Sequence, residues 1–240
     1  MHDINIRNLT YQYKGSNRKV LNSLSLKFRP GTLNVVIGHN GAGKTTLFDL
    51  LTHVLDTPAA ITGLPADQET LYQVQGILFP SSLTGYDLFR FFLYTDYRNT
   101  IRITKQPYTD QQMTAGEMDM MERLWTTRYG DMSVGERRYL SILAITLMQR
   151  KLYIFDEPTS AIDPEARMRI MNRIQQLAAH PEKLVIMSTH TLHELKNYPC
   201  RLYALHRGKK IFEGDYMEFL AYYKHEDPDF AFQNMLHSME

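Results

Sequence analysis

Near its N-terminus the chain reads INIRNLTYQY, in which apolar and polar positions alternate with period two, the pattern of a strand with one buried face. After the polar turn KGSNRK, VLNSLSLKF alternates again and stops at Pro30-Gly31. LNVVI, residues 33–37, is an unbroken apolar run of the kind found in strands buried on both faces. A helix is expected to begin near Gly43 and to carry Leu47, Leu50, Leu51 and Val54 on one face. Residues 55–67 hold two prolines and a glycine and read as loop.

From Leu83 to about Leu147 the period becomes mainly helical, in LFRFFLY, MTAGEMDMMERLWTTRYG and SVGERRYLSILAITLMQR; residues 95–107 show no clear period. After Arg150, KLYIFDE, PEARMRIMNRIQQLAAH, KLVIMSTH, TLHELKNY, RLYALH and KKIFEG alternate strand with helix. Such alternation implies crossovers and a mainly parallel sheet. Asp163-Pro164 places a capping residue before a proline at the first helical position, and Ile170, Met171, Ile174, Leu177 and Ala178 then form a core stripe. The last stretch, from Tyr216, reads as two short helices broken near Asp227-Pro228. The layout is a sheet lobe, a helical insert and a return to the sheet lobe.

Composition narrows the function classes. The 240 residues carry a formal charge of +1, so the basic excess of a nucleic-acid binder is missing. One cysteine, Cys200, rules out an internal disulfide and fits a reducing compartment. The start, MHDINIRNLT, has no secretory pattern, and the longest apolar run, LSILAITLM, is about half of what a membrane span needs. A chain soluble by itself is expected, one that can still dock on a membrane protein.

Chemistry is concentrated after LNVVI. GHNGAGKT, Gly38 to Thr45, fits G-x-x-x-x-G-K-[ST] at every fixed position. Glycines there let backbone N–H groups face an anion, and the following helix adds its positive end. Lys44 can reach β- and γ-phosphates, and the Thr45 hydroxyl suits Mg²⁺. The stretch holds a nucleoside polyphosphate. Downstream, LYIFDEPTSAID ends an apolar strand with Asp156 and Glu157. An Asp so placed holds Mg²⁺ in phosphate-loop enzymes, and the next acid can orient or deprotonate water. KLVIMSTH ends in His190, at the strand end where open α/β sheets bind ligands; by chemistry alone it is either a γ-phosphate partner or a structural residue.

Together these motifs resemble the nucleotide-binding subunits of ATP-binding cassette (ABC) transporters, over residues 8–226. GHNGAGKTT looks like the Walker A loop and LYIFDE like the Walker B strand. SAID is similar to the D-loop, STH to the switch histidine segment, MSVGERRYLSILAITL to the signature helix and VQGILFPSSLTGYDLF to the glutamine loop. The resemblance implies an α/β phosphate-loop fold with a mixed, mainly parallel core sheet, an N-terminal antiparallel β subdomain and a helical insert. It implies one ATPase domain over 1–240: a β lobe of 1–80 and 149–226, a helical lobe of 81–148 and a helical tail of 227–240. ATP and Mg²⁺ are the implied cofactors. The implied nucleotide contacts are Tyr13 stacking on adenine (with Tyr11 its rival), Gly38, Asn40, Gly41, Gly43, Lys44, Thr45, Thr46 and Gln75. Thr45, Gln75 and Asp156 would hold the metal, while Glu157, His190 and Lys44 would carry catalysis.

In the family two cassettes sandwich ATP head to tail, so Ser133 and Gly135 would touch the γ-phosphate bound by a partner. Here L-S-G-G-Q has become Met132-Ser133-Val134-Gly135-Glu136. A β-branched valine resists positive φ or close phosphate approach, and Glu136 adds a negative charge; weaker ATP-driven closure is the expectation. The resemblance further implies a separate membrane permease as partner, a second cassette, no nucleic acid, and a place on the cytoplasmic face of the membrane. LTGYDLFRFFLY and DPDFAFQNML are more similar to exporters of peptides, antibiotics or lipids than to importers. A non-transport cassette ATPase acting on ribosomes or DNA is the alternative. A small-molecule kinase would leave the signature segment and His190 unexplained.

Overall fold

The structure is a computed structural model that describes residues 1–74, 76, 78–96, 98, 101–111 and 113–237. Its elements run β1 (Ile4–Gln12), β2 (Lys19–Phe28), β3 (Leu33–Ile37), α1 (Lys44–Leu51), β4 (Ile61–Thr62), β5 (Thr70–Gln73), α2 (Gly85–Tyr94), α3 (Ala115–Thr126) and α4 (Val134–Leu147). They continue with β6 (Leu152–Asp156), α5 (Pro164–Ala178), β7 (Leu184–Thr189), β8 (Cys200–His206), β9 (Lys209–Asp215), α6 (Tyr216–Tyr222) and α7 (Pro228–His237). The chain falls into two compact units, one of Met1–Gln75, Arg150–Ser160 and Ile174–Glu240, the other of Gly76–Gln149 and Ala161–Arg173.

The first unit holds both sheets. Alternation in β1 and β2 gives an antiparallel pair, with Ile4 opposite Phe28 and Ile6 opposite Leu26, all four buried. The six-stranded sheet has the order β5-β6-β7-β3-β8-β9. β3 is fully buried between β7 and β8, parallel to both, although its apolar run is interrupted once. Its one polar residue, Asn34, is buried and fully used. The Nδ2 group donates to the carbonyls of Arg29 (2.9 Å), Thr32 (3.1 Å) and Val185 (3.0 Å), while Oδ1 accepts from Arg29 N–H at 3.1 Å. This offsets the desolvation of the amide and fixes the turn from β2 into β3.

Three details depart from the sequence pattern. Val54 lies past the end of α1 and is 65 % exposed, because the helix stops at Leu51 with Thr52 as its cap. The expected loop at 55–67 contains β4, which pairs with β1 and gives that sheet a third strand. β5 had no expected counterpart: four residues offer too little periodicity. β9 runs antiparallel to β8 and makes the core sheet mixed, as expected. Only Arg207 and Gly208 separate the two strands, both at positive φ (47° and 76°), the backbone of a two-residue hairpin.

The second unit is helical, and its helices start alike. Thr84, Thr114 and Ser133 cap α2, α3 and α4, and each exchanges hydrogen bonds with an acid three residues on: Asp87, Glu117 and Glu136. Gly85 lets α2 approach α3, since a Cβ there would meet the Leu124 carbonyl oxygen at 2.4 Å. The stripe of α5 is buried as expected, and Asp163 Oδ1 accepts the Ala166 N–H at 2.9 Å.

Candidate active site

Between β3 and α1 the chain turns through Gly41 (φ 80°) and Gly43 (φ 105°), conformations that favour glycine. A Cβ on Gly43 would also lie 2.7 Å from a Leu21 methyl. The loop is braced from the β8–β9 hairpin: Gly208 N–H donates to the Ala42 carbonyl at 3.0 Å, and the Gly208 carbonyl accepts from Asn22 at 2.9 Å. The loop and the end of β6 enclose a cavity of about 370 Å³. Asn40, Gly41, Gly43, Lys44, Thr45 and Thr46 line one side of it, and Asp156 and Glu157 line the other.

Lys44 is 7 % exposed, and its Nζ donates to the carbonyls of Gly38 (2.7 Å) and His39 (3.4 Å). Burial pulls the ammonium below its ordinary pKa, against the attraction of Glu157 and Asp156. Thr45 Oγ1 donates to Asp156 Oδ2 at 3.3 Å, and Ser188 donates to the other Asp156 oxygen. Ser188 Oγ also accepts the Glu157 N–H at 3.0 Å. Glu157 itself adopts φ 50°, an uncommon conformation for a side-chain-bearing residue, with its carbonyl accepting from Ser160 at 3.2 Å. His190 is exposed, and its Nδ1 lies 3.3 Å from Glu157 Oε2. Glu194 accepts from both Thr159 and Thr189, which ties the chain after Glu157 to the chain before His190.

Among the residues expected at the site, Asn40, Gly41, Gly43, Lys44, Thr45, Thr46, Asp156, Glu157 and His190 come together here, with Gly38 contributing its carbonyl. Tyr13 follows β1, and its hydroxyl lies 3.0 Å from Thr46 Oγ1, so the ring stands beside the loop. Tyr11 makes an edge-on contact with Tyr13 and packs against the core, which leaves Tyr13 as the aromatic at the loop. Gln75 lies outside the described residues. Ser188, Gly208 and Glu194 went unread in the sequence. Ser188 stands two residues before His190 in a strand, so its signal was available; the other two depend on tertiary contact.

Ser133 and Gly135 lie in the helical unit, at the start of α4, and line a separate cavity of about 360 Å³. Within one chain Val134 and Glu136 have local roles, which leave the expectation of weaker ATP-driven closure a proposal. Val134 is the first residue of α4, in helical backbone and 56 % exposed, so no glycine conformation is needed. The Glu136 carboxylate is committed locally: Oε2 accepts the Ser133 N–H at 2.8 Å and Oε1 pairs with Arg123. The motif S-x-x-E is itself a capping box, and that reading accounts for the glutamate. Gly135 has a packing reason too, because a Cβ would fall 2.8 Å from that of Ala166 and 2.9 Å from Asp163 Oδ2.

Burial raises the Glu136 pKa, but the bonds from Arg123 and the Ser133 N–H outweigh it, and the carboxyl titrates below its ordinary value. A lowered folded pKa gives stability that is fully present above the unfolded value, roughly 4.3, and is lost as pH falls through the folded one. The stability difference between wild type and Glu136→Ala in guanidinium unfolding is therefore expected to be largest near neutrality and to shrink below about pH 4. A difference that does not change with pH would remove the ion pair from the cap.

The family model described as ABC transporter matches residues 21–160. The energy-coupling factor transporter ATP-binding protein EcfA1 of Latilactobacillus sakei is 26 % identical, covering 91 % of this chain and 80 % of its own length. The phosphonates import ATP-binding protein PhnC 1 of Ruegeria sp. is 26 % identical, covering 88 % of each. The ATP-dependent lipid A-core flippase of Pseudoalteromonas translucida is also 26 % identical, over 91 % of this chain but only 39 % of its own. A solved ATP-binding subunit of an ABC transporter superposes with a TM-score of 0.75 at 19 % identity, covering 97 % of this chain and 99 % of its own. Among the described residues no helix is long and apolar enough to cross a membrane. The matched span contains the phosphate loop, the capped start of α4 and the Asp156-Glu157 pair, and the chain belongs to the ABC transporter family as an ATP-binding subunit.

Proposed function

We propose that this chain hydrolyses ATP to drive a membrane transporter whose permease is a separate protein. The convergence of Lys44, Thr45, Asp156, Glu157 and His190 on one end of the parallel sheet carries this reading. Lys44 exchanges the Gly38 and His39 carbonyls for β- and γ-phosphate oxygens, which is favourable for an ammonium pulled down by burial. The Thr45 hydroxyl and Asp156 carboxylate, 3.3 Å apart, are hard oxygen donors of the kind Mg²⁺ takes. When bound, that ion neutralises charge on the β- and γ-phosphates. Glu157 orients the attacking water and takes its proton; His190, beside it, hydrogen-bonds a γ-phosphate oxygen. Tyr13 lies under the adenine. Gln75 joins the metal donors in this reading.

Two chains would close head to tail, with Ser133 and the α4 N-terminus of one meeting the γ-phosphate held by the other. The Ser133 Oγ accepts the Glu136 N–H at 3.2 Å, and its hydroxyl also bonds the Glu136 carboxylate, which it would exchange for the phosphate. In this reading the domain limits are 1–80 with 149–226, 81–148 and 227–240, and the place of work is the cytoplasmic face of the membrane. The exporter likeness of 83–94 and 227–236 is matched by one flippase and offset by one relative named for import, so the reading carries neither direction nor cargo.

The experiment is sedimentation of the purified chain. ATP with Mg²⁺ is expected to move a hydrolysis-blocked Glu157→Gln variant from monomer to dimer, and ADP to leave it monomeric. ATP binding with no change in mass would remove the head-to-tail sandwich. Salt-sensitive capture of DNA or RNA would replace the transporter reading with the non-transport one.

A further inference from the structure

We propose that Phe232, in the C-terminal helix, is a positioning residue for the phosphate loop and acts through the ring of His39. The proposal rests on the ATPase reading above. His39 is the second residue of the loop, and its ring centroid lies 5.0 Å from that of Phe232, the planes inclined by 54°. The same residue's carbonyl closes the loop turn by accepting the Ala42 N–H at 3.0 Å, and it accepts from Lys44 Nζ at 3.4 Å. Whatever fixes His39 therefore fixes an acceptor of the lysine that must be handed to phosphate.

The helix that presents Phe232 is itself held in place. Asp227 Oδ1 caps α7 by accepting from Asp229 N–H (2.8 Å) and Phe230 N–H (3.3 Å). Ala231 and Met235 are fully buried, and Phe232 lies on the same side by helical spacing. At its start, Asp227 Oδ1 and Asp229 Oδ2 lie 3.7 and 3.4 Å from His193 Nε2, in the turn that follows His190. The tail thus runs from the His190 segment to the phosphate loop and touches both. Ordering His39 before nucleotide arrives lowers the entropy lost on binding, and it should act on affinity more than on the chemical step.

The test uses the full chain and a fluorescent non-hydrolysable ATP analogue. Phe232→Ala is expected to weaken its binding about three- to tenfold, the range of one aromatic pair, and to raise KM with kcat unchanged at saturating ATP. Phe232→Trp should restore affinity. In a His39→Ala background, Phe232→Ala should cause no further loss, because its route to the loop has gone. Unchanged affinity in Phe232→Ala, or a full extra loss in the double variant, would overturn the proposal. If Phe232→Ala fails to fold, His39→Ala alone must reproduce the weakening, and unchanged affinity there overturns it equally. A wild-type chain that does not bind the analogue would sink the ATPase reading instead, so the two failures are distinct.

Discussion

Glu157→Gln is expected to bind ATP as the wild type does and to hydrolyse it at least ~10²-fold more slowly, the low end for losing a general base. The amide keeps the size of the carboxylate and can still hydrogen-bond, but it cannot accept the proton of the attacking water. The backbone of Glu157 is held from outside the side chain, by Ser188 Oγ on its N–H and by the Ser160 N–H on its carbonyl, so the exchange leaves the left-handed turn intact. The partner at 3.3 Å, His190, loses a charge neighbour and not its position, which is set through Thr189 and Glu194. Single-turnover hydrolysis and equilibrium ATP binding, measured on the same preparation, separate chemistry from affinity. Near-normal turnover would take Glu157 out of the role of base.

Lys44→Ala is expected to lose about 10- to 100-fold in ATP affinity, the worth of one or more hydrogen bonds between charged groups. Its stability should change less than in a usual core truncation. Lys44 is almost fully buried, and burial disfavours its charge, so removing the ammonium relieves a desolvation cost while two carbonyls lose a donor. The melting temperature is expected to stay within a few degrees of wild type, which makes the binding loss interpretable. Unchanged ATP binding would count against the assignment of the loop.

The parts of this fold that were legible in the sequence are those in which local pattern and tertiary role agree. The mainly apolar LNVVI is the buried β3, and Asp163-Pro164 starts α5 with the expected cap. The glycines of the phosphate loop announce a backbone that only they adopt cheaply, and so the site could be placed before any coordinates. What failed was set at a distance. β4 is two residues long and exists because β1 offers an edge, with Ile6 opposite Ile61. β5 is four residues long, too short to show a period of its own, and is held by pairing with β6. Glu136 was legible in a second way: comparison with the family's glutamine draws attention to its charge, while the capping box written in the same four letters gives its local partners.

The hairpin contact on the phosphate loop has a thermodynamic consequence. Gly208 can lie against β2 only because it lacks a side chain; a Cβ would sit 2.2 Å from the Val20 carbonyl oxygen. From that position its N–H secures Ala42, so the cradle for the triphosphate is shaped by strands rather than by its guest. A loop braced in this way has little slack to freeze, and the heat released on mixing with nucleotide is expected to report charge pairing more than the ordering of peptide.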